Sequence, residues 1–292
     1  MRKFGAVIVS LFLLYVLSYV GVRSLDGAIT GMRFHRGPHV ENLVVPPPQP
    51  APPAIWPLPN APLTAVPAPT PSRSLRVVID AGHGAPENPG NTSVFCEPEQ
   101  EFTLRTQDEI VRRLQSRSFL EVRAGRPSKA LLPYPDRKDA AERWPADAFI
   151  SLHSDARAGD GWAVHPETRC YVGLGAPGFS VLYSDEGDPV LVERRRRLAQ
   201  RIAVRMEEAG FPAYSGIDYG GLYDADAQAG VFVDRHAPKK RIMMLRRPKI
   251  PSVIVETHQA VDPEEAARWN EPRTLDAFAA ALAAALVDVA ES

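Results

Sequence analysis

The chain has 292 residues, 45% of them hydrophobic, and a formal net charge of −1. That is enough apolar material for a sizeable core in one or two domains, with no basic footprint for a polyanion, which argues against nucleic acid as a partner. The one dense basic run, Arg194 to Arg197, falls inside a helical pattern where a solvated face explains it, and two cysteines, Cys96 and Cys170, are too few for a disulfide scaffold or a Cys-rich zinc site.

At the N-terminus, Arg2 and Lys3 precede an uncharged run from Gly5 to Val22, closed by Arg23. At ~1.5 Å per residue this run is just long enough to cross a bilayer core, and the preceding charges favour a cytoplasmic N-terminus. Residues 1–23 therefore read as a membrane anchor, with a cleaved signal peptide as the alternative; both export the rest of the chain. Residues 24–72 are a juxtamembrane segment and a linker. Prolines crowd from Pro46 to Pro71, through PPPQPAPP and PLPNAPLTAVPAPTP. Fixed φ and missing donors preclude helix and sheet there, leaving an extended, semi-rigid spacer.

Residues 73–292 carry the pattern of a folded domain. LRVVID (Leu75 to Asp80) is an apolar, β-branched strand that feeds the glycine turn AGHG. Phe102 to Leu120 shows Leu104, Ile110, Val111 and Leu114 at helical spacing, and Leu120 to Val122 suits a short strand. Asp136 to Trp144 reads as helix, AFISL (Ala148 to Leu152) as strand and FSVLYS (Phe179 to Ser184) as strand. Pro189 to Gly210 reads as a long helix, SVIV (Ser252 to Val255) as strand and Leu275 to Val289 as a closing helix. Strands alternating with helices predict an α/β fold, a largely parallel sheet with helices on both faces, and ligands beyond the strand carboxyl ends. Three strands end in groups able to bind a metal or move a proton. His83 follows VVID, His153 follows FISL and Glu256 follows VIV. For any one alone, a capping or hydrogen-bonding role is a sufficient explanation.

Taken together, VVIDAGHG, EPEQEFTL, FISLHSDA and PSVIVET resemble the zinc N-acetylmuramoyl-L-alanine amidases of bacterial cell walls, in that family's order and at compatible spacing. The resemblance runs from about Arg76 to the C-terminus. Arg126 and Arg137 also sit where the family places arginines before FISLH. It implies a zinc ion held by His83, Glu99 and His153, and catalysis by Glu256. Among the neighbouring glutamates, the family's leucine five residues after the ligand selects Glu99 through Leu104, with Glu101 as second choice. The implied substrate is peptidoglycan, cut at the amide between N-acetylmuramic acid and L-alanine.

The chemistry is consistent with this set. Two imidazoles and a carboxylate leave a zinc coordination position open, and the metal polarises a carbonyl and lowers the pKa of water. Glu256 would take the water proton and return it to the departing amine. Gly82 and Gly84 permit the tight turn that aims His83. Asp80 is placed either to orient a ligand histidine or to cap the turn.

Some positions depart from the family. Asp155 stands where it usually carries asparagine, adding a negative charge near the metal. Ala158 to Pro177 is an insertion, expected to be a plain surface loop. His258, two residues after Glu256, is either a substrate or intermediate contact or an ordinary hydrogen-bonded histidine. His236 lies in the basic stretch VDRHAPKKR, which meets either solvent or an acidic group of the substrate. A Cys96–Cys170 disulfide would pin the insertion over the metal loop, although two unpaired thiols fit the sequence as well. Two other function classes stay open: a silent peptidoglycan-binding module, and a zinc hydrolase of another amide or peptide bond. Related amidases of diderm bacteria are held shut by a helix over the metal, which adds an activating protein to the expected partners, but no such helix can be located in this sequence. The expected location is the cell envelope, with the domain periplasmic and tethered to the inner membrane, or exported after cleavage.

Overall fold

The computed structural model describes residues 73–159 and 161–291; the N-terminal apolar run and the Pro-rich spacer lie outside the described residues. LRVVIDA forms strand β1 (Leu75–Ala81), buried at every position except Arg76. A run apolar on both sides can only lie inside a sheet covered on both faces. β1 pairs in parallel with β2 (Leu120–Ala124) and β3 (Ala148–Asp155), and β3 pairs in parallel with β9 (Ser252–Gln259). β6 (Ser180–Tyr183) joins β9 antiparallel, β8 (Val231–Asp234) joins β6 in parallel, and β7 (Tyr223–Ala225) closes the edge antiparallel. The order is β2-β1-β3-β9-β6-β8-β7, largely parallel as the strand–helix alternation predicts.

The helices are α1 (Glu99–Leu114), α2 (Tyr134–Arg143), α3 (Pro189–Glu208), α4 (Met243–Arg246), α5 (Pro263–Arg268) and α6 (Pro272–Ala290). α1 begins three residues before the expected start, directly after Pro98, with Glu99 and Glu101 in its first turn. Acidic groups there complement the helix dipole. The helix ends at Leu114, since Leu120 already belongs to β2. Asp188 caps α3, accepting from the Val190 and Leu191 amides with Pro189 at the first helical position. Among the described residues no helix is long and apolar enough to cross a membrane.

The period-2 alternation of strands sorts side chains between the two faces. Val77, Ile79, Ile150, Leu152, Val253 and Val255 enter one large core with the apolar faces of α1, α3 and α6. On the other face, Val78 and Phe149 pack with Ala141 and Met244, and Ile254 with Leu182, Tyr219, Phe232 and Leu245. Continuing that alternation to the strand ends puts Asp80, Ser151, His153 and Glu256 on this second, more thinly covered face.

Two segments differ from the sequence expectation. The insertion is not a plain loop: Gly161–Val164 (β4) and Tyr171–Leu174 (β5) pair as an antiparallel hairpin. VFVD is a wholly buried strand, β8. Its four residues sit in a Gly- and Asp-rich stretch without helical or alternating neighbours, and its partner β6 is distant in sequence.

Candidate metal centre and catalytic cleft

The turn after β1 places the first histidine. His83 adopts a left-handed φ of 58°, uncommon for a residue with a Cβ, and Gly84 follows at 65°. Two buried arginines clamp the turn. Arg137 donates from Nη1 to the Ala81 carbonyl (2.7 Å) and from Nη2 to the His83 carbonyl, while Arg126 donates from Nε to the Ala81 carbonyl (3.3 Å). Arg137 also faces Asp80 at 3.3 Å, both side chains fully buried. The Ser151 hydroxyl donates to Asp80 at 2.7 Å. Burial pushes the Asp80 carboxyl up from its ordinary pKa, against the pull of Arg137 and Ser151. From α1, the Thr103 hydroxyl donates to the Gly82 carbonyl (2.7 Å), and Gln107 Oε1 accepts from the Ala81 and Arg126 amides (both 3.0 Å).

His83, Glu99 and His153 converge. Their ligating atoms lie within 4.8 Å of one another. Glu99 approaches His83 Nε2 at 3.1 Å and His153 Nδ1 at 3.3 Å. It also accepts from the Asn91 and Ser154 amides, each at 2.9 Å. Burial opposes its charge, but the bonds to His153 and His83 hold the carboxyl well below the usual range. Burial likewise opposes the charged form of His83, and the bonds to Glu99 and Asn88 outweigh it, so its pKa is raised. Asn88 Oδ1 meets His83 Nδ1 at 2.8 Å and leaves Nε2 toward Glu99. Of the neighbouring glutamates, Glu97 pairs with Arg105 and Glu101 is exposed; neither joins the histidines.

Three observations fit this cluster to a divalent metal. An acid 3% exposed between two imidazoles is a nitrogen–oxygen donor set of the kind zinc takes. Glycines at 82 and 90 leave no room for a Cβ against His153 or against Glu99 and His83, so the three side chains are closely cradled. Finally, Glu256, opposite His153 in the β3–β9 ladder, has a buried Oε2 without a hydrogen-bond partner. Burial, then the negative charges of Asp155 and Glu99, raise the Glu256 carboxyl well above its ordinary pKa.

Asp155 is held in a partly buried ion pair. Its Oδ2 accepts from Arg157 Nε (2.8 Å) and from the Tyr219 hydroxyl, which also bonds Ser180 Oγ (2.8 Å). Arg157 is itself buried, lies 3.8 Å from the Tyr214 ring centroid and donates to the Ala176 and Gly178 carbonyls. Nothing in the motif pointed to Arg157 or Tyr219. Asn88 and Asn91, beside the turn glycine Gly90, were also not singled out, although PENPGN marks a turn.

His258 does not share the Glu256 surface. Opposite β9 the pairing slips: His153 faces Glu256, but Asp155 faces Gln259. One extra residue on β9 makes a bulge and reverses the alternation. His258 is thereby turned into the large core, stacked on Trp269 at 5.5 Å and edge-on to Phe102 at 4.9 Å. His236 lies on the loop after β8, its Nδ1 2.8 Å from the buried Asp234 carboxylate.

A mainly parallel sheet that holds two imidazoles at its strand ends, with a carboxylate from α1 between them and a second carboxylate alongside, has the donors that a metal-dependent hydrolase needs. The comparisons narrow the class. The chain belongs to the amidase_3 family, N-acetylmuramoyl-L-alanine amidase, whose family model matches residues 77–288. It is 30% identical over 107 residues to N-acetylmuramoyl-L-alanine amidase CwlM of Bacillus licheniformis, a match covering 35% of this chain and 39% of that protein. In fold it is similar to the N-acetylmuramoyl-L-alanine amidase of Clostridium difficile 630 (TM-score 0.56, 18% identity, 76% of this chain and 99% of that one). It is also similar to Ami1 of Mycobacterium smegmatis (TM-score 0.57, 20% identity, 75% and 98%).

Proposed function

We propose that this chain is a zinc-dependent N-acetylmuramoyl-L-alanine amidase that hydrolyses the lactyl–L-alanine amide of peptidoglycan. The carrying observation is the convergence of His83, Glu99 and His153 within 4.8 Å, with Glu256, opposite His153, keeping its buried Oε2 without a hydrogen-bond partner. In this reading His83, Glu99 and His153 hold the zinc. When bound, zinc supplies Lewis-acid polarisation of the scissile carbonyl and lowers the pKa of water.

The protein's own groups do the rest. Glu256 Oε2 accepts the proton of the attacking water and delivers it to the amide nitrogen as the C–N bond breaks. Burial and the neighbouring negative charges raise its pKa, which makes it a stronger base toward the water proton than an ordinary carboxylate. Asp80 and Arg137 position the His83 turn without touching substrate. Asp155, tied to Arg157 and Tyr219, forms a cleft wall of balanced charge.

The wall lies outside the cytoplasm, and a disulfide between Cys96 and Cys170 supports an oxidising compartment. We extend the proposal to the layout: an inner-membrane anchor or signal segment in 1–23, a spacer in 24–72 and a periplasmic catalytic domain in 73–292, with an activating protein as a further partner.

The test is digestion of purified sacculi by the full chain, with and without chelator, beside Glu256→Gln. The expected products are free stem peptides with L-alanine N-termini. They disappear with chelator, and the variant loses about 10²- to 10⁴-fold in rate while still binding one zinc. Cleavage that survives chelation sinks the metal assignment. Zinc binding without peptide release from sacculi in the presence of envelope extract sinks the amidase assignment.

A further inference from the structure

The inserted hairpin presents a feature that the hydrolytic site does not use. In its ladder Trp162 lies opposite Gly173, and Val164 opposite Tyr171. Directly opposed residues and alternate residues share a face, so Trp162, Val164 and Tyr171 lie together. They are 44%, 45% and 65% exposed, and the two rings meet edge to face at 6.1 Å. With Phe95, 44% exposed and next to Cys96, they make up half of the eight large apolar side chains exposed among the described residues.

An exposed face on a mobile loop would mean little, but this hairpin is fastened at both ends. At the tip, Cys170 is bonded to Cys96, and the Thr168 hydroxyl donates to the Val94 carbonyl at 2.6 Å. At the base, the Gly159 amide donates to Asp218 (3.0 Å) and the Gly173 amide to the Val261 carbonyl (3.1 Å). Gly173 sits so tightly on the Arg157 carbonyl that a Cβ would overlap it. The aromatic face is therefore exposed and rigid, the combination that lowers the entropic cost of binding.

Its position relates it to the cleft. The hairpin leaves the sheet directly after β3, which carries His153, and its tip is bonded to the loop that delivers Glu99 three residues later. Phe95 and Glu99 line the same small cavity. The described side chains of the face, Trp162, Val164 and Tyr171, are uncharged, so it suits a neutral ligand rather than the carboxylates of the stem peptide. Three side chains also fall far short of the roughly 800 Å² per partner of a stable protein interface. A hexosamine ring presents an apolar C–H face of matching size, which packs on aromatic rings.

We infer that the Trp162–Tyr171 face of the hairpin is a saccharide-stacking subsite, which holds N-acetylhexosamine rings of the glycan strand beside the amide to be cut. This rests on the amidase reading above, and it makes the hairpin a determinant of polymer over fragment.

The test uses the full chain and two probes. With chelator present, so that nothing is cleaved, the neutral oligomer of four N-acetylglucosamines is titrated by calorimetry, and the tryptophan emission of the native chain is followed alongside. Without chelator, kcat and KM are measured on solubilised glycan strands bearing stems and on a minimal muramyl dipeptide. Trp162→Ala/Tyr171→Ala is expected to lose the emission change and about tenfold in oligomer affinity, the worth of one good stacking contact. Its KM for glycan strands rises by a similar factor, while turnover of the dipeptide is unchanged. Trp162→Phe/Tyr171→Phe retains the oligomer affinity and the KM for strands. Unchanged oligomer binding by the alanine variant overturns the proposal, and so does equal loss on strands and dipeptide, which marks a merely structural hairpin. Self-association of the native chain that the alanine variant abolishes, with saccharide affinity intact, also overturns it in favour of a protein interface. If the native chain cleaves neither substrate even with envelope extract present, the amidase reading fails, and the oligomer titration still decides the subsite.

Discussion

Gly82 lies flat against the His153 imidazole, so close that a Cβ at this position would overlap Nε2. The glycine thus sets the distance between the β1 turn and the end of β3, and with it the spacing of His83 and His153. Gly82→Ala is expected to displace His153 and weaken zinc binding about 10- to 100-fold, the usual loss when the support of a ligand is disturbed. Competition with a chromophoric chelator measures this, with far-UV circular dichroism as the fold control. Unaltered zinc affinity would show that the contact has no bearing on the metal.

Asp80 and Arg137 are both sealed from solvent, and Arg137 alone ties together the carbonyls of Ala81, His83 and Leu132. Removing one member of a buried pair leaves an uncompensated charge. Arg137→Met should therefore cost about 3–5 kcal/mol in urea unfolding, and Asp80→Asn in the same chain should recover part of it. A cost below about 1 kcal/mol would mean that water reaches Asp80.

The Cys96–Cys170 bond closes a loop of 74 residues. Chain-entropy arguments put the stabilisation from a loop of that length at about 4 kcal/mol, less any strain. Adding reductant should lower the unfolding midpoint markedly and loosen the loop that carries Glu99, so zinc affinity should fall as well. Coincident unfolding curves with and without reductant would contradict this.

His258 supplies a pH dependence whose sign is fixed by its burial. Burial, aided by the Arg157 charge, lowers its pKa from 6.5 to about 3. Between those values the unfolded chain binds a proton that the folded chain refuses. Stability is thus fully present above about 6.5 and is lost as the pH falls toward about 3. At about 1.4 kcal/mol per pKa unit the loss reaches a few kcal/mol. His258→Phe, which keeps an aromatic ring against Trp269, should flatten this limb. Unfolding midpoints compared at pH 7 and pH 5 measure it, and equal drops in both proteins would exclude His258 as the source.

Much of the fold was legible because its signals are local. β1, β3 and β9 are apolar, β-branched runs bounded by glycine, proline or a polar residue, and α3 carries its Asp-Pro start in the sequence. β8 and the β4–β5 hairpin were not legible. A strand of four residues has no periodicity to read, and each acquires its conformation from a partner strand or a distant disulfide. The site divides the same way. GHG and SLH identified His83 and His153 as candidates, whereas Arg157 and Tyr219, which hold Asp155, carry no motif, and Tyr219 meets it only through folding.

The sequence by itself determined the chemistry available: two histidines and a glutamate after core strands and a second glutamate ahead of a helical pattern, in the order that a family resemblance makes meaningful. Only the tertiary structure decided which of those groups share a surface. Glu99 rather than Glu101 faces the histidines because α1 starts directly after Pro98 and aims position 99 inward. His258 leaves the Glu256 surface because one extra residue in β9 inverts the pleat between Glu256 and Gln259. A two-residue period says where a side chain points only while the ladder is unbroken, and a bulge is a property of the pairing of two strands, not of either sequence alone.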